Sequence, residues 1–173
     1  MRLFVGLRPS PEFRDALAET QRRLRGAGVI GRYLDPENLH LTLAFIGMWP
    51  EAVTEVLPAV EEPFRITLSG LGIFPAARVL WAGVEPSAEL RALAGRVRRA
   101  LAEASVPFDP QDFSPHITLA RKPAVPEGVL LPRIAVPRVT MTVREVCLYL
   151  SHREESGMAY TVIGETPQAK GLI

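Results

Sequence analysis

Short apolar runs alternate along this chain with two amphipathic stretches and with turns rich in proline. Leu3–Leu7 and Val79–Val84 are apolar enough to predict strands, and a Pro-Ser turn follows each. The next stretches, about Pro11–Arg25 and Ala88–Ala104, place Phe13, Leu17 and Leu24, or Leu90, Leu93, Val97 and Leu101, at helical spacing. Polar turns at Asp35-Pro36-Glu37-Asn38 and Asp109-Pro110-Gln111-Asp112 lead into two more apolar segments. Glu51–Val60 predicts a short helix and Arg65–Leu71 a strand. The proline-rich Lys122–Pro137 reads as an irregular surface loop, and strands at about Val139–Leu150 and Ala159–Ile163 close the chain.

The two halves of this pattern are copies. The residues Leu3-Phe4-Val5-Gly6-Leu7-Arg8-Pro9-Ser10 match Leu80-Trp81-Ala82-Gly83-Val84-Glu85-Pro86-Ser87 at a shift of 77. Arg22 and Leu24 match Arg99 and Leu101 at the same shift. The repeat covers about 2–49 and 79–124, so 1–173 reads as a single domain made of two pseudo-twofold-related lobes. The expected fold class is α+β: a bilobal duplicated unit with two largely antiparallel sheets facing a central cleft and helices on the outside.

The apolar segments after the polar turns are His40-Leu41-Thr42-Leu43 and His116-Ile117-Thr118-Leu119, with Ala44 and Ala120 next. Side chains alternate in a strand, so each histidine shares a face with the threonine two residues on, and the aliphatic residues take the other face. Lobes packed about a twofold axis would bring His40 and His116 into one cleft.

Composition narrows the choice of partner. The 173 residues are 47% hydrophobic and 23% charged, ordinary values for a globular protein. A net charge of +1 excludes attraction to nucleic acid by the whole surface, so any such contact is local. Lys122 and Lys170 are the only lysines; the other cations are arginines, whose planar fork suits phosphate. The single cysteine, Cys147, excludes an intramolecular disulfide or a Cys-rich zinc site, and it lies in an apolar run. With no signal-like opening and no run of membrane-spanning length, the expectation is a cytoplasmic protein without a membrane partner.

Histidine titrates near neutrality, so a neutral one and a protonated one supply a general base and a general acid at one pH. Two hydroxyls beside them suit a tetrahedral anion, and phosphate is the obvious candidate. Arg121, just after the second copy, offers its fork to phosphate oxygens where the first copy has Phe45. No metal or cofactor is called for. His152 lies in a polar stretch after a strand and reads as a solvated turn residue or one facing RNA. Arg32 and Tyr33 read either as an exposed arginine and a half-buried aromatic or as groups that stack on a base or contact a backbone phosphate.

With the longer strings Pro36-Glu37-Asn38-Leu39-His40-Leu41-Thr42-Leu43-Ala44-Phe45-Ile46-Gly47 and Phe113-Ser114-Pro115-His116-Ile117-Thr118-Leu119-Ala120-Arg121, the chain resembles the 2H phosphoesterase superfamily. Its closest likeness there is to the RNA 2′,3′-cyclic phosphodiesterase branch, also called 2′-5′ RNA ligase-like. The resemblance implies hydrolysis of RNA 2′,3′-cyclic phosphate ends to 2′-phosphomonoesters, and reversible 2′-5′ ligation without ATP. It makes His40 the proton donor and His116 the proton acceptor, with Thr42, Thr118 and Arg121 holding the phosphate. The expected partner is RNA with a cyclic-phosphate terminus, such as a tRNA half, acted on by a monomer. The residues alone leave the acid and base roles interchangeable. They also leave open a phosphodiesterase for small cyclic nucleotides and a non-catalytic RNA-end binding module.

Overall fold

A computed structural model describes residues 1–170. Strand β1 (Arg2–Leu7) leads to helix α1 (Pro11–Gly26), then to β2 (Ile30–Tyr33) and β3 (Leu41–Met48). β4 (Phe64–Phe74) and β5 (Val79–Val84) precede helix α2 (Ala88–Glu103) and β6 (His116–Ala124). β7 (Thr140–Val143), β8 (Cys147–Glu154) and β9 (Gly157–Glu165) finish the fold. Among the described residues, no helix is long and apolar enough to cross a membrane.

The Pro-Ser turns start the helices. Ser10 and Ser87 accept hydrogen bonds from the Phe13 and Leu90 amides, satisfying donors that have no partner within the helix. Leu17, Leu24, Leu90, Leu93, Val97 and Leu101 are fully buried, so the apolar stripes read from the sequence are the faces that enter the core.

The fold is α+β, with every strand pairing antiparallel. The sheet runs β7-β4-β5-β6-β3-β1-β8-β9, with β2 added to β6. Exchanging β1 with β5, β3 with β6, β8 with β4 and β9 with β7 returns this order reversed. The two histidine strands, β3 and β6, meet at one residue pair, Leu41 with Ile117, which follow the two histidines, and β2 of the first repeat adds to β6 of the second. The sheets expected for the two lobes are thereby joined into one path.

Matching β-bulges sit on either side of that junction. The register slips at Leu43 between β3 and β1, and at Leu119 between β6 and β5. A bulged residue is left out of the ladder, so its carbonyl needs another partner. Helix side chains provide one in each half, joined at Leu119 by the Leu34 amide. Gln21 of α1 donates to the Leu119 carbonyl at 3.0 Å and also to that of Leu34 at 2.8 Å, while Arg98 Nε of α2 donates to the Leu43 carbonyl at 3.3 Å. Gln21 and Arg98 lie 77 residues apart, the shift of the repeat, and each helix braces the histidine strand of the other half.

Gln21 is 1% exposed. Gln21→Ala is expected to cost about 1–3 kcal/mol by withdrawing a donor from buried carbonyls. A lower urea midpoint with an unchanged slope would be the signature.

Several local expectations need correction. Glu51–Val60 contains only a helical turn at Thr54–Val56, because Pro50 and Pro58 bracket the segment. Val139–Leu150 is two strands at different places in the sheet. The chain breaks at Arg144-Glu145, and the Val146 amide donates to the Thr166 hydroxyl. The first residues of the supposed Lys122–Pro137 loop continue β6, and Leu131–Arg133 makes one helical turn. β2 is a short strand, with Gly28 before it and Gly31 within it, that the hydropathy pattern does not announce.

Candidate active site

His116 opens β6 and His40 immediately precedes β3. Leu41, Leu43, Ile117 and Leu119 point into the core at 0–2% exposure. The opposite face carries His40, Thr42, His116 and Thr118, and all four line one cleft of about 1180 Å³.

Arg121 lines the same cleft, for a reason alternation alone does not supply. Counting by twos from His116 and Thr118 would turn Arg121 toward the core. The bulge at Leu119 shifts the count by one and brings its side chain back to the histidine face. β6 does not stop at Arg121, where the supposed loop from Lys122 was to begin, but runs on to Ala124. The bulge at Leu43 does the same for Phe45, whose ring lies 5.1 Å beneath the Arg2 guanidinium. A cation thus stands on each side of the cleft, by different means.

Both imidazoles are held alike. His40 Nδ1 lies 2.8 Å from the Asn38 carbonyl, and His116 Nδ1 lies 2.7 Å from the Ser114 carbonyl. A carbonyl only accepts, so each Nδ1 carries a proton and donates it. This leaves each Nε2 as the nitrogen that gains or loses a proton in the cleft. Asn38 is fixed in turn by β9: its side chain accepts from the Tyr160 amide and donates to the Met158 carbonyl.

Aromatic rings surround both histidines. Phe4 and Tyr160 lie 4.6 and 4.8 Å from the His40 ring, and Phe74 meets His116 edge-on at 4.9 Å. Burial among these rings lowers the His40 pKa to about 4, reinforced by the charges of Arg121 and His116 against the raising effect of the Asn38 carbonyl. Burial lowers His116 as well, with Arg121 adding to it. An empty cleft therefore holds two histidines biased to neutrality, ready to gain protons when an anion enters.

The other candidates separate cleanly. His152 belongs to β8 rather than to a turn; it lines the cleft with Nε2 2.7 Å from the Thr161 hydroxyl. Tyr33 packs against the core and donates its hydroxyl to the Val29 carbonyl. Cys147 is fully buried, and burial pushes its thiol up to about 11, so it is a packing group rather than a nucleophile. The wall formed by Arg2, Phe4, Phe74 and Tyr160 escaped the sequence reading, because aromatics in apolar runs look the same on either face of a sheet.

Two histidines with free Nε2 atoms, two hydroxyls and an arginine around one cavity can hold a phosphate and move protons on two sides of it. The model of the 2′-5′ RNA ligase superfamily matches residues 9–155. A relative from Aquifex aeolicus, an RNA 2′,3′-cyclic phosphodiesterase, is 32% identical over 95% of this chain and 96% of that protein. One of the same name from Thermus thermophilus is 35% identical over 94% and 88%. The crystal structure of E. coli LigT complexed with phosphate superposes with a TM-score of 0.71, at 27% identity and 98% coverage of both chains. By sequence profile and by fold, this chain belongs to the 2′-5′ RNA ligase superfamily.

Proposed function

We propose that the protein hydrolyses RNA 2′,3′-cyclic phosphate ends to 2′-phosphomonoesters, with His40 as proton donor and His116 as proton acceptor. The supporting observation is the paired tether, which leaves two Nε2 atoms free in one cleft with Thr42, Thr118 and Arg121. The relatives' name and the phosphate complex of E. coli LigT support the same reading.

In this mechanism, His116 Nε2 takes a proton from water as its oxygen attacks phosphorus. The P–O3′ bond breaks, and His40 Nε2 gives its proton to the departing 3′ oxygen. Thr42, Thr118 and Arg121 hold the non-bridging oxygens while charge grows on them. The two histidines finish with exchanged protonation states and reset through solvent. A 5′-hydroxyl of a second RNA in place of the water, attacking the same phosphorus as P–O3′ breaks, gives ATP-independent 2′-5′ ligation, and the reverse of that step splits the linkage. The same reading takes the protein as a cytoplasmic monomer acting on RNA ends such as tRNA halves. It takes the chain as one domain of two pseudo-twofold-related lobes, which the reversed strand order supports.

The deciding experiment uses chelator-treated protein and an oligoribonucleotide ending in 2′,3′-cyclic phosphate. A 2′-phosphate product, with turnover unaffected by chelator, is expected. A 3′-phosphate product, or binding without turnover, would sink the proposal. Turnover confined to mononucleoside cyclic phosphates would favour the small-nucleotide alternative.

The pH profile provides a second check. kcat/KM reports the free protein, where both histidines lie below the ordinary value of about 6.5, so its maximum is expected below that pH. The bound phosphate's negative charge favours the protonated ring, so the kcat profile lies at higher pH than that of kcat/KM. A kcat/KM maximum above pH 7 would count against the assignment.

A further inference from the structure

Arg32 and Arg121 stand directly opposite each other where β2 pairs with β6. Opposed residues in an antiparallel pair share a face, and like charges placed there weaken the pairing. Alternation along β2 agrees: Tyr33 packs against the core, so the exposed Arg32 takes the opposite face of the sheet, outside the cleft lining but across the ladder from Arg121, which lines it. Among the described residues, neither guanidinium has a carboxylate partner, whereas Arg22 and Arg23 share Glu19 and Arg14 pairs with Glu37. Two unneutralised cations side by side at the edge of an anion site call for a second anion.

The cleft has room for more than one nucleotide. Its volume of about 1180 Å³ exceeds the roughly 300–1,000 Å³ typical of small-molecule sites. Neighbouring strands lie about 4.8 Å apart. Long side chains on adjacent strands can therefore hold two phosphates separated by one nucleotide.

We propose that Arg32 binds the internucleotide phosphate next to the terminal cyclic phosphate, which makes the preferred substrate a polynucleotide rather than a free mononucleotide. The inference rests on the reaction proposed for His40 and His116. A planar fork with no protein partner is suited to bidentate contact with a phosphodiester. The contact carries no base information, so it adds affinity for length and leaves sequence preference alone.

The test compares kcat/KM on a trinucleotide ending in 2′,3′-cyclic phosphate with that on cytidine 2′,3′-cyclic phosphate, for wild type, Arg32→Ala, Arg32→Gln and Arg32→Lys. The wild type is expected to favour the trinucleotide. Arg32→Ala and Arg32→Gln should lower its kcat/KM roughly tenfold, mainly through KM, with cytidine 2′,3′-cyclic phosphate unchanged within about twofold. Arg32→Lys, which keeps the charge but loses the fork, should keep the salt dependence and only part of the advantage. In Arg32→Ala and Arg32→Gln the salt dependence of trinucleotide binding should flatten by about 0.7 in log–log slope, one contact's worth. Both substrates are measured on one preparation, so a partly unfolded variant lowers both rates and leaves their ratio intact. An unchanged ratio with active wild type overturns the role of Arg32 alone. Failure of wild type to turn over either substrate overturns the proposed reaction and this inference with it.

Discussion

His40→Ala and His116→Ala should each lower kcat on a 2′,3′-cyclic phosphate by roughly 10²–10⁴-fold, the usual contribution of a positioned acid or base. The two variants are expected to part company on a different substrate. A 4-nitrophenyl phosphodiester releases a phenolate that needs no proton, so losing the acid costs it little. His40→Ala should recover most of its rate there, whereas His116→Ala should not, since water still needs a base. The opposite pattern would exchange the two roles. Equal losses on both substrates would show that neither histidine acts as a dedicated acid.

Arg121→Ala should cost roughly 10²–10³-fold in kcat, comparable to removing a donor from an oxyanion site. A second effect distinguishes this from loss of structure. Arg121 depresses both histidines, so its removal lets both rise toward their ordinary value. The entire kcat/KM profile should therefore move to higher pH while retaining its bell shape. Lys at this position keeps the charge but loses the fork, so Arg121→Lys should keep the profile near its wild-type pH and still lose rate. A variant that is slow but shows an unmoved profile would mean that Arg121 does not face the histidines.

How much of this was legible in the residues depended on which physical rule set each position. The faces of His40, Thr42, His116 and Thr118 follow from alternation, and the core shows the complementary set, Leu41, Leu43, Ile117 and Leu119, buried as that rule requires. The convergence of the two halves followed from their repetition. The route by which Arg121 enters was not legible, because a bulge at a leucine leaves no glycine or proline to mark it. Val139–Leu150 reads as one strand since its apolar residues hardly pause; a tertiary bond from Val146 to Thr166 makes the break. The tethers at Asn38 and Ser114 are main-chain contacts, which no side-chain pattern can announce. Arg32 could be named but not placed, because its meaning depends on the residue across the ladder.

Those tethers bear on how the site tolerates mutation. The acceptors that set each imidazole's tautomer belong to the peptide backbone, and every amino acid brings the same carbonyl. A substitution at 38 or 114 can loosen the turn, yet it cannot delete the acceptor itself. Point mutation at those two positions thus leaves both acceptors in place and acts only through the turn, which at 38 loses its side-chain ties to β9.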